Sequence, residues 1–379
     1  MQLLEAQLDV RPNERLRIFL LNWFFTSLCG MTIGEYVRLL RKHRFAVAPA
    51  YLPRAAFMAG TGVLNSVLHQ HENRVYGRAV ACTRIKPPLF VLGHWRSGTT
   101  HLHNLLATDS QFAYPTMYQV LNPHTFLSTE RYSNILFISP KTRMMDNVPV
   151  NAGVPFEDEF ATCGTLRSPF LTWVFPHAAE QYDKYLTFRD VPKQEIDEWA
   201  AALVLFYKKL TWKYNRPLLL KSPPHTSRIK LLLDIFPDAR FIHIHRNPYT
   251  VFQSTQRQNE VSLRTMGLQH LDVQRIKAGI IWRYKIMYDA FFEQRALIPG
   301  DRFYEVSFEE LEKDPVGQVK MIYNHLNLPG FDAMQPSLQC YVHAMANYRK
   351  NRYPDLSSSL RGEIARAWQR SFEQWGYPS

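Results

Sequence analysis

The sequence contains few of the residues that cross-link small secreted domains or hold metals. Its 379 residues include only four cysteines, Cys29, Cys82, Cys163 and Cys340, and none of them belongs to a C-x-x-C pair. We therefore expect reduced thiols and exclude a disulfide scaffold. Three H-x-H pairs occur, but no cysteine or carboxylate pattern completes a zinc site at the usual spacing. The sequence predicts no metal centre.

Internal repeats, low-complexity tracts and a run of about 20 apolar residues, the length of a membrane-spanning helix, are also missing. Residues 18–34 come nearest, because they are mostly apolar and aromatic. We interpret them as the first helix of a packed N-terminal helical region. The alternatives are a membrane anchor and peripheral contact of residues 11–45 with a membrane, where Arg38, Arg41, Lys42 and Arg44 would face anionic lipid. The expected location is cytoplasmic, with the membrane periphery as the alternative.

Acidic residues are scarcer than basic ones. Lys and Arg number 45 against 33 Asp and Glu, and the net charge of +12 at pH 7 favours an anionic partner. The basic residues are scattered, and no helix-turn-helix, RNP or zinc-finger pattern occurs, so a nucleic acid is not the expected partner. A membrane surface and a phosphorylated small molecule remain.

Short apolar runs alternate with helical periodicity after residue 85. Runs at residues 89–92, 217–221, 240–245 and 302–306 predict four strands. This alternation predicts an α/β fold, with a central parallel sheet flanked by helices. Residues 1–85 show helical patterns only.

Capping signals predict where two later helices begin. Asn247 followed by Pro248 is a favourable N-cap and first helical residue. Ser307 and Glu310 have the spacing of a capping box. Both signals directly follow a predicted strand, so they locate two strand-to-helix turns.

Cations stand at the ends of three predicted strands. Arg96 follows the first strand, Lys221 ends the second and Arg246 follows the third. Parallel sheets bind their ligands beyond the carboxyl ends of the strands, where these side chains would meet. The sequence therefore predicts an anion-binding site at this edge of the sheet.

The loop after the first strand nearly has phosphate-loop spacing. Gly93 and Gly98, followed by Thr99 and Thr100, match G-x-x-x-x-G-K-[ST] except that Thr99 replaces the lysine. Backbone N–H groups of such a loop cradle a phosphate at a helix N-terminus, whereas γ-phosphoryl transfer depends on the missing lysine. A nucleoside-phosphate kinase or NTPase on a related fold is therefore the alternative function.

This loop resembles the 5′-phosphosulfate loop of sulfotransferases that use 3′-phosphoadenosine 5′-phosphosulfate (PAPS). The likeness spans residues 88–106, which read PLFVLGHWRSGTTHLHNLL, and is closest to the broad bacterial-type branch with an R-S-G-T-T loop. Arg246, with Ser254 eight residues later, resembles the 3′-phosphate site of the same family. Residues 303–315 resemble the family's V-x-[YF]-E-x-L…D-P segment.

The resemblance implies a sulfotransferase fold, a P-loop-like parallel sheet flanked by helices, and PAPS as co-substrate with no metal required. We expect an N-terminal helical extension at residues 1–85, where only helical patterns occur, and a sulfotransferase domain at residues 86–379, which the resemblance implies. The nucleotide ligands that it implies are Arg96, Ser97, Gly98, Thr99, Thr100, Arg246, Ser254 and Lys350.

Sulfuryl transfer needs cations against developing charge and a base that takes the acceptor proton. Arg96 and Lys221 are the predicted cations. His225, four residues after Lys221, is one candidate base. Glu157 or Glu159, in an acidic segment that resembles one of the bacterial-type branch, is the other, and burial would have to raise its pKa. An acidic triplet is also typical of a solvated loop, so the sequence leaves the choice of base open.

The acceptor is expected to be a hydroxyl or an amine of a small molecule, a glycan or a glycolipid. The apolar and aromatic stretch near the N-terminus favours an amphipathic or lipid-linked acceptor. A free sugar, a peptide tyrosine and a small hydroxylated metabolite are the alternatives.

Overall fold

Four short parallel strands form the centre of this computed structural model. They are β1 (Leu89–Leu92), β2 (Leu219–Lys221), β3 (Arg240–His245) and β4 (Phe303–Ser307), in the order β2-β1-β3-β4. The predicted α/β fold with a parallel sheet is confirmed. The only differences in the strands are small: β2 begins two residues later than predicted, and β4 is shifted by one residue.

The structure describes residues 28, 30–136, 142, 145, 148–270, 273–346, 351 and 353–379. Their α-helices are Ile33–Lys42, Leu52–Ala81, Thr99–Leu106, Met117–Leu121, Phe126–Thr129, Ser133–Leu136, Glu180–Asp183, Lys193–Tyr214, Ile229–Ile235, Pro248–Met266, Val273–Gln294, Phe308–Lys313, Pro315–His325, Phe331–Ala344, Ser358–Ala367 and Gln369–Trp375. Short 3₁₀ helices connect several of them, including one at Asp158–Thr165.

The sheet separates two hydrophobic cores. Successive strand residues point to opposite faces, so Phe90 and Leu92 pack into the larger core and Leu89 and Val91 into the smaller one. The Lys193–Tyr214 helix contributes Trp199, Leu203 and Leu210 to the larger core. Helices therefore cover both faces, and the edge where the strands end is the place left for a ligand.

The register brings the strand ends side by side. Val91 of β1 pairs with Lys221 of β2, and His245 at the end of β3 pairs with Ser307 at the end of β4. β1 and β3 are direct neighbours. The loops that carry the predicted cations therefore leave the sheet at one edge.

Both predicted capping signals are confirmed at this edge. Asn247 Oδ1 accepts a hydrogen bond from the Tyr249 N–H at 3.0 Å, at the start of the helix that follows β3. Ser307 Oγ accepts one from the Glu310 N–H at 3.1 Å, and the Glu310 carboxylate closes the box on Ser307. These caps stabilise both strand-to-helix turns.

The described N-terminal helices share the larger core, to which Met58 belongs. Arg54, also buried, donates to the Gly267 carbonyl at 2.6 Å, just past the end of the Pro248–Met266 helix. Glu72 and Lys209 form a buried ion pair at 2.6 Å. These contacts tie the N-terminal helices to the rest of the protein, while the domain boundary at residue 85 stays a prediction.

No helix in the described part of the chain is long and apolar enough to cross a membrane. The thiols of Cys82, Cys163 and Cys340 are free. Cys29 and most of residues 18–34 lie outside the described residues. The predicted peripheral contact can therefore be examined only for residues 30–45.

Candidate functional site

Two glycines shape the loop that follows β1. Gly93 and Gly98 have φ angles of +144° and +104°, in a region that glycine adopts far more readily than other residues. A Cβ atom at Gly93 would collide with the backbone oxygen of Ile244, and one at Gly98 with the ring of Phe308. The backbone therefore runs tightly against its neighbours, and both glycines of the phosphate-loop spacing are required.

Hydrogen bonds fix the course of this loop. The Gly93 N–H donates to Thr226 Oγ1 at 2.7 Å, and Ser97 Oγ donates to the His94 carbonyl at 2.8 Å. The loop leads into the Thr99–Leu106 helix, whose first N–H groups have no partner within the helix. A helix start after a tight glycine loop provides backbone donors for an anion.

Arg96 adopts a left-handed conformation in the middle of the loop. Its φ of +70° is uncommon for a residue with a side chain, and such strain is typical of functional sites. Its Nε donates to Ser254 Oγ at 2.9 Å, and its carbonyl accepts from Arg246 Nη1 at 3.5 Å. The two predicted nucleotide motifs therefore meet at Arg96.

Arg246 lies directly beyond the end of β3. Its guanidinium sits 4.1 Å above the ring centroid of Phe308, a cation–π contact with the same ring that packs on Gly98. Burial lowers the pKa of Arg246, while Glu309 and Glu312 favour its charged form. Phe308 thus packs against both the glycine loop and Arg246. The capping box that begins at Ser307 predicts a helix start there but not this role of Phe308.

Ser254 receives a second hydrogen bond from the C-terminal part of the chain. Ser254 is buried, and the Tyr353 hydroxyl donates to its Oγ at 3.0 Å. Lys350, the ligand predicted from this part of the chain, lies outside the described residues. Sequence reasoning misses Tyr353, although its place three residues after Lys350 is the signal that could have found it.

Lys221 and Glu157 form an ion pair at the end of β2. Lys221 Nζ donates to Glu157 Oε1 at 2.8 Å and lies 3.5 Å from Thr100 Oγ1, in the first turn of the helix after the loop. The Lys221 side chain is 2% exposed and that of Glu157 is 13% exposed. One predicted cation and one predicted base therefore lie together beside the loop.

The other two carboxylates of the acidic segment are buried. Asp158 and Glu159 have no exposed surface, so the interpretation of this segment as a solvated loop is wrong. Glu159 pairs with Arg228, whose guanidinium nitrogens lie 2.7 and 3.2 Å from its two oxygens. Both oxygens of Glu159 are thus occupied, which leaves Glu157 as the partly exposed carboxylate of the three.

His225 belongs to a buried network behind this ion pair. Its Nε2 lies 2.6 Å from Asp158 Oδ2, and its ring is fully buried. Asp158 also accepts hydrogen bonds from Ser222 Oγ at 2.9 Å and from the Tyr207 hydroxyl. Burial would raise the pKa of Asp158, but the charge of His225 and these hydrogen bonds outweigh it and lower that pKa to about 2. Asp158 therefore connects Ser222, His225 and Tyr207 in one buried cluster behind Glu157 and Lys221.

An aromatic cluster connects the loop with the acidic segment. The ring centroid of Trp95 lies 6.1 Å from that of Phe170, which lies 4.5 Å from Phe160. Phe160 in turn lies 5.4 Å from Phe156, the residue before Glu157. The indole N–H of Trp95 is buried without a hydrogen-bond partner in the described part of the chain. The cluster forms an apolar wall with an unused donor beside the loop.

The predicted residues that the structure describes thus gather at one edge of the sheet, with His225 behind them. Among the described residues, no three His, Cys, Asp or Glu side chains are grouped so that they could hold a metal ion. That no metal is required stays a prediction. The arrangement can bind a doubly anionic ligand between the loop and Arg246, and it holds a carboxylate next to a lysine.

Comparison of the sequence with known proteins identifies similar chains. A model described as the sulfotransferase family matches residues 87–333. The chain is 37% identical over 358 residues to the omega-hydroxy-beta-dihydromenaquinone-9 sulfotransferase of Mycobacterium tuberculosis, an alignment that covers 94% of this chain and 92% of the relative. The enzyme of the same name from Mycobacterium bovis gives the same values.

Solved structures of bacterial sulfotransferases have a similar fold. A sulfotransferase from Mycobacterium avium superposes with a TM-score of 0.69 at 18% identity, covering 97% of this chain and 98% of its own. One from Mycobacterium tuberculosis superposes with a TM-score of 0.61 at 18% identity, covering 96% and 98%. At this identity the likeness establishes the fold.

Proposed function

The chain belongs to the sulfotransferase family and is a sulfotransferase, and we propose that it transfers the sulfuryl group of PAPS to a hydroxyl on an apolar, lipid-like acceptor. The observation that carries the proposal is the meeting of Arg96, Lys221 and Arg246 around a glycine loop and a helix start. Family membership sets aside the nucleoside-phosphate kinase or NTPase that the loop spacing left as the alternative.

The two anionic ends of the donor suit the two halves of the site. The 5′-phosphosulfate would bind the N–H groups and side chains of residues 96–100, where the glycines let an oxyanion approach the backbone. The 3′-phosphate would bind Arg246 and Ser254. Lys350 and Tyr353 are the proposed C-terminal contributors to the same phosphate. The contact of Tyr353 with Ser254 supports this assignment.

Transfer breaks the bond from sulfur to the phosphate oxygen of PAPS and forms one from sulfur to the acceptor oxygen. The acceptor proton passes to Glu157, and 3′-phosphoadenosine 5′-phosphate (PAP) leaves. Lys221 would offset the charge that develops on the departing oxygen, because it is already near Thr100 in the loop helix. When Lys221 turns to that oxygen, Glu157 loses its cation, which favours uptake of the proton.

Two observations support an apolar, lipid-like acceptor: the name of a relative and the aromatic cluster beside the loop. The mycobacterial relative is named for a hydroxylated menaquinone derivative. In this chain the wall from Trp95 to Phe156 runs from the loop to the residue before Glu157, so an acceptor bound between them would meet apolar rings. A hydroxyl at the end of an apolar chain fits this wall better than a free sugar or a glycan head group.

Calorimetric titration without added metal tests the assignment of the donor site. We expect PAP to bind at least about 30-fold more tightly than ADP or ATP, because only PAP carries the 3′-phosphate that Arg246 and Ser254 would hold. This ratio corresponds to about 2 kcal/mol, the range of hydrogen bonds to charged groups. Equal or tighter binding of ADP or ATP would contradict the 3′-phosphate assignment.

Transfer of labelled sulfate from PAPS tests the acceptor class. We expect kcat/KM for geranylgeraniol to exceed that for glucose by at least about tenfold, because each buried methylene contributes about 0.8 kcal/mol. A soluble glycolipid serves as the third acceptor. If glucose or the glycolipid is the better substrate, the apolar acceptor is ruled out while the donor assignment stands.

We also propose that the turn at residues 43–45 touches an anionic membrane that supplies the acceptor. Phe45 is 59% exposed, and both Arg44 and Phe45 have positive φ at the tip of the turn. Arg38 and Arg41 are exposed on the adjoining helix. An exposed aromatic ring among cations is typical of an interfacial contact.

Replacement Phe45→Ser should reduce binding to phosphatidylglycerol vesicles about fivefold, for a loss of about 1 kcal/mol of apolar contact. Sedimentation with vesicles measures it. Leu297→Ser is the matched control, since Leu297 is 52% exposed and lies outside the turn. Equal binding of wild type and Phe45→Ser, or equal losses in both variants, would refute the contact.

A further inference from the structure

The last residues of the chain fold back onto the end of β3. The Trp375 ring stacks on His245, with centroids 4.8 Å apart and an interplanar angle of 1°. Gly376 then takes a left-handed conformation, with φ of +66°, as is common after a helix. The Tyr377 N–H returns to the Phe372 carbonyl at 3.0 Å. This reversal brings Tyr377 next to the residues that flank Arg246.

The Tyr377 side chain joins both neighbours of Arg246. Its hydroxyl donates to Glu309 Oε2 at 2.8 Å, and Glu309 Oε1 accepts from the Asn247 backbone N–H at 3.3 Å. His245 Nδ1 lies 3.0 Å from the same hydroxyl. Because a tyrosine hydroxyl has one proton and gives it to the carboxylate, His245 must donate through Nδ1.

A neutral His245 with its proton on Nδ1 fits this arrangement. Burial, and to a lesser degree the nearby His243, lower the pKa of His245 to about 4, so the ring is uncharged at neutral pH. One chain of hydrogen bonds therefore runs from His245 through Tyr377 and Glu309 to Asn247. It spans the backbone on both sides of Arg246.

We propose that Tyr377 is a positioning residue for the 3′-phosphate of the nucleotide, acting through Glu309 and His245 on the backbone that carries Arg246. The inference rests on the proposed function, since it concerns the same phosphate. A guanidinium on a flexible stem binds tightly only when its base is fixed, because otherwise binding must freeze the stem. Phe308 supports the guanidinium of Arg246. Tyr377 fixes the backbone from which the Arg246 side chain extends.

Tyr377→Phe removes the hydroxyl and keeps the ring, so the stacking and the fold should remain. We expect calorimetry to show PAP binding about three- to tenfold weaker, with binding of adenosine 5′-phosphate, which lacks the 3′-phosphate, and the melting temperature unchanged. Tyr185→Phe is the matched control, because it removes a tyrosine–glutamate hydrogen bond of 3.0 Å to Glu195. It should leave both affinities unchanged.

Comparing PAP with adenosine 5′-phosphate distinguishes failure of the 3′-phosphate assignment from failure of the proposed role of Tyr377. If the wild type does not prefer PAP over adenosine 5′-phosphate, the proposed 3′-phosphate site fails, and the role of Tyr377 fails with it. If the wild type shows the preference and Tyr377→Phe keeps it in full, only the role of Tyr377 is refuted. Equal loss of affinity for both nucleotides would mean that Tyr377 supports the fold alone and would likewise refute the positioning role.

Discussion

Arg246→Ala is expected to weaken PAP binding by about two to three orders of magnitude, while affinity for adenosine 5′-phosphate changes by less than about threefold. Arg246 is held over Phe308 and against the Arg96 carbonyl. Its side chain therefore loses little conformational entropy when the phosphate binds. Loss of one partner of a hydrogen-bonded charge pair in a binding site costs about 2–5 kcal/mol. Calorimetry at one fixed ionic strength measures the effect, because salt screens phosphate contacts.

Arg240→Ala provides the matched control for this substitution. Arg240 begins the same strand that ends before Arg246, so the two variants change the net charge equally at opposite ends of β3. The control should bind PAP within about twofold of the wild type. If Arg246→Ala binds PAP as the control does, the 3′-phosphate lies elsewhere and the assignment of Arg246 is wrong.

The strands and the helix starts of this edge could be predicted from the sequence because their signals are local. The apolar run of β3 and the Asn247 cap lie within a few residues of the structure that they form. The glycines at 93 and 98 are equally local, since each is needed for its own backbone conformation. Such patterns reveal where strands end, and hence where the cations meet.

The acidic segment shows where local patterns fail. Its composition is typical of a solvated loop, yet Asp158 and Glu159 are fully buried. Their partners, His225 and Arg228, are 67 and 69 residues away in the sequence. Burial of a carboxylate is tolerated only when such a partner is present, and its presence depends on tertiary packing. The sequence therefore identified Glu157, Glu159 and His225 as candidate bases but could not show which of them is buried.

Contacts across the whole chain set the rest of the site. Tyr353 reaches Ser254 over 99 residues, and Tyr377 reaches His245 over 132 residues. The segment around Tyr377 has no local pattern that distinguishes this residue from the other tyrosines, and the one signal for Tyr353 is its closeness in sequence to Lys350. Only the return of the C-terminal helices to the edge of the sheet brings these hydroxyls to the predicted nucleotide site.

Glu157→Gln is expected to lower kcat by about 10²–10⁴, the range for loss of a general base. Glutamine keeps an oxygen for the Lys221 ammonium, which lies 2.8 Å from the present carboxylate, but it cannot take the acceptor proton. The affinity for PAP should stay within about threefold, because glutamine keeps the hydrogen bond to Lys221 and Glu157 is not itself a proposed ligand of either phosphate. Steady-state kinetics at one fixed pH, with PAPS saturating, measure the effect.

His225→Gln distinguishes the two candidate bases. The glutamine amide can replace the hydrogen bond from His225 Nε2 to Asp158, so the buried network keeps a donor at that position. If Glu157 is the base, this variant should lose thermal stability but retain kcat within about tenfold. The reverse result, a folded His225→Gln enzyme with a kcat loss of about 10² or more beside an active Glu157→Gln enzyme, would assign the base to His225. In that case Glu157 serves only to hold Lys221 before the donor binds.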